Sequence, residues 1–218
     1  MSLQETWQIG KTYYSKVNFK KLIKDFREQF PYDPLTALIV ETVANSLDAN
    51  ATKIDIYISS HDGIYRILDN GTGMTEEQFK EYHNIASLTK EKGKGGIGFA
   101  GIGAKIYLDK ADYVITETKS RSFHGATIWM LDSKGDLIYK PIQVKDKIPY
   151  KTGTYIEVKL KDYEDIKKLN SEFVENVIRK YYNSVLLGYY RRRYINVNGC
   201  LLYTSPSPRD RGWYRMPS

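Results

Sequence analysis

The segment from residue 34 to about residue 50 constrains the fold most, because it is predicted to form a helix that is apolar on almost every side. Asp33 followed by Pro34 provides a cap and a first-turn proline, which favour a helix start. Apolar residues then surround the helix axis: Leu35, Ala37, Leu38, Ile39, Val40, Val43, Ala44 and Leu47. Other elements must cover such a helix, so the chain has to fold in layers around it.

Three polar residues interrupt this apolar surface. At about 100° per residue, Glu41, Asn45 and Asp48 fall on one stripe of the helix, within an arc of about 60°. Polar side chains on a buried helix need polar partners or a wet cavity. From the helix alone two interpretations stay open: a capped stripe of structural ion pairs, or a pocket wall that carries two carboxylates and an amide.

The remaining periodicities predict the other elements. Helices are expected over 18–30, from the capping box at 75–78, and from near Gly103. One long closing helix is predicted from the spacing of Ile166, Leu169, Phe173, Val177 and Ile178. Strands are predicted over 53–59, 64–68, 112–119, 123–131, 137–144, 153–160 and 194–199. This order predicts an α+β fold, a two-layer sandwich with a mostly antiparallel mixed sheet and helices on one face.

The composition narrows the class of protein. Hydrophobic residues make up 41% of the chain, which is typical of a globular protein. The net charge of +7 is compatible with phosphate or nucleic-acid partners. The single cysteine excludes a disulfide framework and a zinc ribbon, and it fits a reducing compartment. No apolar run is long enough to span a membrane, and the first residues lack a signal-peptide stretch. We therefore expect a cytoplasmic protein without a membrane partner.

Two glycine-containing loops carry the clearest motifs. DNGTGM at 69–74 directly follows a strand, and its glycines permit positive φ and close approach of a ligand, although Asp-Asn-Gly is also a common hairpin turn. GKGGIGFAGIGAK at 93–105 presents successive backbone N–H groups that can hold an anion. Residues 96–101 satisfy the dinucleotide-binding pattern G-x-G-x-x-G. That pattern requires a preceding strand, whereas here a charged loop precedes it. A Walker-type loop fails too, because Lys105 is followed by Ile106 instead of Ser or Thr.

Together and in this order, these segments resemble the GHKL ATPase superfamily with its Bergerat nucleotide-binding fold. Residues 41–58 are similar to the helix-and-strand segment of MutL mismatch-repair ATPases. DNGTGM is closer to MORC-type ATPases, and GGIGFAGIGAK is similar to the lids of MORC and heat-shock chaperone ATPases. Gly153-Thr154 before a strand matches a fourth motif, so the resemblance covers about residues 34–160.

The resemblance implies ATP as the ligand and assigns residues to its base. Asp69 would accept a hydrogen bond from the adenine amine, with Thr154 in support, and Asp48 would lie beside the adenine end of the pocket. The residues expected to line the base and its loop are Gly71, Gly73 and Met74.

The resemblance also implies Mg²⁺ and a set of residues at the phosphates. Glu41 would be the general base that deprotonates the attacking water, and Asn45 would bind the metal. Lys105, as a catalytic residue, and Lys90 would neutralise the γ-phosphate. The residues expected to wrap the phosphates as a lid are Gly96, Ile97, Gly98, Gly101, Ile102 and Gly103.

The implied function is a Mg²⁺-dependent ATPase module in which ATP closes the lid and promotes homodimer formation. The lid lacks the Gly-Phe-Arg-Gly run of MutL, which weighs against mismatch repair, and Glu41 favours hydrolysis over transfer to a partner histidine. The alternatives are a nucleotide-binding scaffold and a kinase-like module without ATPase activity. In the superfamily a following transducer domain supplies a catalytic lysine, so we expect slow or absent turnover if the chain stops near residue 200.

We divide the chain into an N-terminal arm and helix (1–33), a Bergerat-type ATP-binding domain (34–165), a closing helix with the start of a following domain (166–199), and a tail (200–218). The tail opens with CLLYTSPSPRD, which resembles a translated sequencing adapter and is expected to be non-native; a Pro/Ser-rich disordered terminus is the alternative. Residues 189–194 interleave tyrosines with arginines. This pattern permits a nucleic-acid clamp, or a helix end at a domain junction.

Overall fold

The protein is built on one mixed β-sheet. The computed structural model describes residues 18–28, 31–84, 103–187 and 193–202. Within these ranges eight strands form the sheet in the order β5-β4-β3-β6-β2-β1-β7-β8. Their bounds are Lys53–Ser59 (β1), Ile64–Asp69 (β2), Ala111–Lys119 (β3), His124–Leu131 (β4), Leu137–Ile142 (β5), Gly153–Leu160 (β6), Tyr194–Val197 (β7) and Cys200–Leu201 (β8). Neighbouring strands are antiparallel except β1 and β7, which are parallel.

The helices form a second layer over this sheet. Their bounds are Phe19–Arg27 (α1), Pro34–Asp48 (α2), Glu76–Tyr82 (α3), Tyr163–Lys168 (α4) and Ser171–Leu186 (α5), with a 3₁₀ helix over Gly103–Lys110. Residues of α1, α2, α5 and the 3₁₀ helix share the main hydrophobic core with the inward side chains of the strands. The predicted α+β two-layer fold is confirmed. Among the helices of the described ranges, none is long and apolar enough to cross a membrane.

The helix α2 lies in the middle of this core, as its apolar surface requires. The Asp33 side chain caps its start by accepting from the Thr36 N–H at 3.1 Å, and Pro34 occupies the first turn. The strand β1 packs against it with Ile54 and Ile56, which are almost fully buried. The packing of α2 on the sheet therefore fixes the separation between the end of β2 and one side of α2.

The prediction of one long closing helix was wrong. The chain leaves the helix at Leu169, whose backbone is extended, and Asn170 caps a new helix by accepting from the Phe173 N–H at 2.8 Å. The Leu169 side chain is fully buried, and its carbonyl accepts from the Ser60 hydroxyl at 2.6 Å. The apolar spacing runs on across this break, so periodicity alone did not reveal it.

The strand predicted near residue 194 forms as β7 and joins this same sheet. Its register places Ile195 beside Ile54 and Val197 beside Ile56, and all four side chains are buried. Leu202, beyond β8, is also buried in the main core. The division of the chain at residue 165, and the non-native character of the tail, stay predictions.

Candidate functional site

A cavity of about 570 Å³ lies between the sheet, α2 and α3. Its size falls within the range of about 300 to 1,000 Å³ that is usual for small-molecule sites. The lining residues come from four segments that are distant in the chain: Thr42, Asn45, Ser46, Asp48, Ala49, Ile67, Asp69, Gly73, Met74, Glu77, Gln78, Glu81, Tyr82, Lys105, Thr154 and Ile156. The structure thus brings together Asn45, Asp48, Asp69, Gly73, Met74, Lys105 and Thr154 of the predicted site.

Asp69 is a buried polar group of the cavity wall that accepts three hydrogen bonds. The side chain is buried, and its Oδ1 accepts hydrogen bonds from the N–H groups of Gly71 at 2.8 Å and Thr154 at 3.2 Å. Its Oδ2 accepts from the Ser46 hydroxyl at 2.9 Å. Burial raises the pKa of this carboxyl to about 6, because the three hydrogen bonds offset only part of the lost hydration. Since each oxygen has two lone pairs, the contacts within the described part of the chain leave one acceptor position on Oδ2.

Glycines fix the backbone around Asp69. Gly73 has φ +65°, and a Cβ there would overlap the Lys119 carbonyl oxygen. A Cβ at Gly71 would lie 2.7 Å from the Ala49 carbonyl oxygen, at the end of α2. A Cβ at Gly153 would overlap the carbonyl oxygen of Asp69. The loop after β2 can pack against α2, β3 and β6 only with glycine at these positions.

The face of α2 that lines the cavity differs from the predicted stripe. Thr42, Asn45, Ser46 and Ala49 recur at the i, i+3, i+4, i+7 spacing of one helix face. Asp48 also lines the cavity. Glu41 is absent from the described lining residues and lies one turn before Asn45, with 3% of its surface exposed.

Glu41 lies near two tyrosines, Tyr32 and Tyr182. The negative charge of Glu41 contributes, after burial, to raising the pKa values of Tyr32 and Tyr182. Tyr182 leaves helical geometry at a kink in α5, and its hydroxyl donates to the Val40 carbonyl oxygen at 2.5 Å. Glu41, the predicted general base, is therefore a buried side chain with polar neighbours, and it lies beside Asn45 on α2.

Lys105 is a buried cation that lines the cavity. Only 4% of the residue is exposed, and its Nζ donates to the Asn84 carbonyl oxygen at 2.7 Å. The ammonium group also lies over the Tyr82 ring, 5.7 Å from its centroid. Burial lowers the pKa of Lys105 to about 8, so the ammonium form still predominates at neutral pH. The helix predicted near Gly103 is present, as a 3₁₀ helix that begins at that residue.

Helix α3 supplies cavity residues that the sequence analysis missed. They are Glu77, Gln78, Glu81 and Tyr82. The predicted capping box is confirmed: Thr75 accepts from the Gln78 N–H at 3.3 Å, and Gln78 accepts from the Thr75 N–H at 2.9 Å. This motif places α3 directly after the glycine loop, which is the signal that could have assigned α3 to the pocket wall.

A buried histidine anchors the end of α3. The His83 Nδ1 lies 2.6 Å from the Phe79 carbonyl oxygen, and its Nε2 lies 2.8 Å from the Thr127 hydroxyl on β4. Burial lowers the pKa of His83, and the charge of Lys105 lowers it further, so the neutral ring is favoured. Nδ1 therefore donates and Nε2 accepts, which ties α3 to the sheet beside Lys105.

Part of the predicted site lies outside the described residues. These positions are Lys90, Gly96, Ile97, Gly98, Gly101 and Ile102. Tyr189, Tyr190, Arg191 and Arg192 of the predicted 189–194 segment lie outside them as well, whereas Arg193 and Tyr194 are described. A nucleic-acid partner stays a prediction. Within the described ranges, no group of three or more His, Cys, Asp or Glu side chains is placed to hold a metal ion. A metal in this cavity would need most of its ligands from its substrate and from water.

Comparison with known proteins agrees with the fold. The family model described as histidine kinase-, DNA gyrase B-, and HSP90-like ATPase matches residues 32–171, which include every described lining residue of the cavity. The chain belongs to this ATPase family, and the predicted membership of the GHKL superfamily is confirmed.

Three curated relatives are each 27% identical to this chain. The chaperone protein HtpG of Fusobacterium nucleatum aligns over 153 residues, covering 63% of this chain and 24% of its own length. The DNA mismatch repair protein PMS1 of Arabidopsis thaliana aligns over 154 residues, or 67% of this chain and 16% of the relative. The human mismatch repair endonuclease PMS2 aligns over 157 residues, or 67% of this chain and 17% of the relative. The chain thus spans less than a quarter of each relative's length.

Proposed function

We propose that this chain binds ATP together with Mg²⁺ in the cavity between α2, α3 and the sheet, and that it hydrolyses the γ-phosphate. One observation carries the proposal. A buried carboxylate that retains an acceptor position (Asp69), an amide (Asn45) and a buried ammonium group (Lys105) line the same cavity of about 570 Å³. Membership of the ATPase family supports the choice of ligand.

The end of β2 is suited to an adenine base. The free position on Oδ2 of Asp69 accepts the exocyclic amine, while Thr154 and Ser46 hold the carboxylate in place. Gly73 and Met74 line the same cavity, and we assign them to contacts with the base. Asp48, at the end of α2, lies beside this region.

Asn45 and Lys105 are suited to bind a triphosphate. Asn45 offers an amide oxygen as a ligand for Mg²⁺, which takes its further ligands from phosphates and water. When bound, the ion neutralises part of the phosphate charge. Lys105 stabilises the negative charge that develops on the γ-phosphate, and its burial strengthens this interaction.

Hydrolysis then requires a base for water. Glu41 takes a proton from the water that attacks the γ-phosphorus, and the bond to the β,γ-bridging oxygen breaks, which releases ADP and phosphate. Its position on α2, one turn before Asn45, supports this role. The glycine-rich segment 93–102 leads directly into the 3₁₀ helix that carries Lys105. We propose that this segment closes over ATP as a lid and that closure promotes homodimer formation.

Isothermal titration of the chain with ATP and Mg²⁺ tests the proposal, with phosphate release measured in parallel. Asp69→Asn retains an oxygen that can accept from Gly71 and Thr154 but removes the charged acceptor, so we expect ATP binding about 2 kcal/mol weaker, or roughly thirtyfold. The matched control is Asp136→Asn, at an exposed position in the β4–β5 turn, which should leave binding unchanged. Absence of ATP binding by the unmodified chain would refute the proposed function. Binding without phosphate release would support the nucleotide site but not the proposed hydrolysis.

A further inference from the structure

The N-terminal helix α1 packs mainly against the 3₁₀ helix that carries Lys105. Ile23 of α1 is buried in the main core. At the end of α1, Nη1 of Arg27 lies 2.6 Å from Oδ1 and 2.5 Å from Oδ2 of Asp109. These side chains are only 16% and 10% exposed, so this ion pair is screened less than a surface pair.

Side-chain anchors hold the 3₁₀ helix at its C-terminal half. Besides the Arg27–Asp109 pair, the hydroxyl of Tyr107 donates to Asp165 at 2.7 Å, and Lys110 contacts the same carboxylate at 2.9 Å. Helices of the 3₁₀ type have poorer hydrogen-bond geometry than α-helices, so tertiary contacts decide their position. Arg27 is the anchor that comes from the N-terminal part of the chain.

Lys105 lies four residues before Asp109 on the same short helix, and it lines the cavity. A displacement of the helix therefore displaces the ammonium group. We propose that Arg27 is a positioning residue: through Asp109 it sets the position of Lys105, so that α1 couples the N-terminal segment to the γ-phosphate end of the cavity. The nucleotide part of this inference rests on the proposed function.

Arg27→Met tests the link, because methionine retains an apolar stem and removes the charge. Lys24→Met is the matched control on the same helix, since the Lys24 side chain is 62% exposed and forms a long ion pair with Glu28, at 3.9 Å. The first readout is amide hydrogen exchange without nucleotide. We expect faster exchange over 105–108 in Arg27→Met, with unchanged exchange in β1 as the check against global unfolding. Lys24→Met should resemble the unmodified chain.

The second readout compares affinities for ADP and for a non-hydrolysable ATP analogue, both with Mg²⁺. We expect Arg27→Met to lower the affinity for the ATP analogue about tenfold and the affinity for ADP far less, because Lys105 is assigned to the γ-phosphate. Asp109→Asn, which is nearly isosteric, should reproduce both effects and replaces Arg27→Met if that variant does not fold.

Two results would overturn the inference. One is faster exchange confined to α1, with 105–108 unchanged in both variants. The other is equal weakening of ADP and the ATP analogue, as expected if Arg27 only stabilises the fold. If the unmodified chain binds neither nucleotide, the proposed function fails, and the exchange measurement still decides whether Arg27 positions the 3₁₀ helix.

Discussion

The hydroxyl of Ser46 donates a hydrogen bond to Oδ2 of Asp69 over 2.9 Å, so α2 and the end of β2 meet at one buried carboxylate. The opposite oxygen, Oδ1, is occupied by the N–H groups of Gly71 and Thr154. Three segments that are distant in the chain thus orient a single acidic group at the cavity wall. The predictions below begin with this group.

The affinity for adenosine should depend on pH through Asp69. Its folded-state pKa is about 6, and the ionised form is the better acceptor for an adenine amine. Binding should therefore be full above pH 6 and weaken as pH falls through 6, by about tenfold per pH unit well below it. Adenosine is the suitable ligand because it has no phosphate that titrates in this range. Asp69→Asn should bind weakly with no inflection near pH 6, and an inflection that persists in this variant would assign the titration to another group.

Lys105→Met should weaken ATP binding selectively. Loss of the buried ammonium group removes a charge that we assign to the γ-phosphate, at a cost of about 2 kcal/mol, or roughly thirtyfold in affinity for ATP. ADP affinity should change much less. The control is Lys80→Met on α3, where the lysine side chain is 70% exposed and forms a surface ion pair with Glu76. Titration calorimetry with both nucleotides measures the effect, and an equal loss for ADP and ATP would contradict the assignment.

Glu41→Gln should separate binding from hydrolysis. The amide keeps the size of the buried side chain but cannot accept the proton of the attacking water, so we expect phosphate release to fall by about 10² to 10⁴. ATP affinity should stay within about twofold, since the base acts only on the chemical step. Glu164→Gln, at a side chain 70% exposed, is the control for a changed charge. Turnover retained in Glu41→Gln would remove Glu41 from the role of general base.

Gly73→Ala should lower the free energy of unfolding more than a comparable glycine substitution elsewhere. Gly73 has φ +65°, and an added Cβ would overlap the Lys119 carbonyl oxygen, so the strain of positive φ adds to a steric conflict. We expect a loss of at least about 2 kcal/mol. Gly135→Ala is the matched control, because Gly135 has φ +81° but its Cβ would meet no atom closer than 3.6 Å, which leaves only a backbone cost of about 1 kcal/mol. Chemical denaturation compares the two, and equal losses would show that the clash is relieved.

Much of the fold was predictable because the relevant signals are local. The alternation around Ile54 and Ile56 predicted β1 within its observed bounds, and the Thr75 capping box predicted the start of α3. Asp33 and Pro34 predicted the start of α2 in the same way. Each of these signals acts within a few residues of the chain.

The predictions failed where the local sequence signals are compatible with more than one structure. The apolar spacing around Leu169 continues through the break between α4 and α5, since both helices pack on the same core. The polar stripe of α2 included Glu41 but omitted Ser46, which faces the cavity and contacts Asp69. Which side of α2 faces the cavity depends on how the helix rests on the sheet.

The sequence by itself determined the class of fold and the glycine loop after β2, because periodicity, capping and glycine requirements are properties of short segments. The family resemblance predicted seven of the sixteen described lining residues of the cavity. Only the tertiary structure decided which of these segments meet. The hydrogen bonds of Ser46 and Thr154 to Asp69, the contact of Lys105 with Asn84 and the Arg27–Asp109 pair all join residues that strand register and helix packing bring together. Register and packing result from many weak contacts across the whole core, and no single stretch of sequence encodes them.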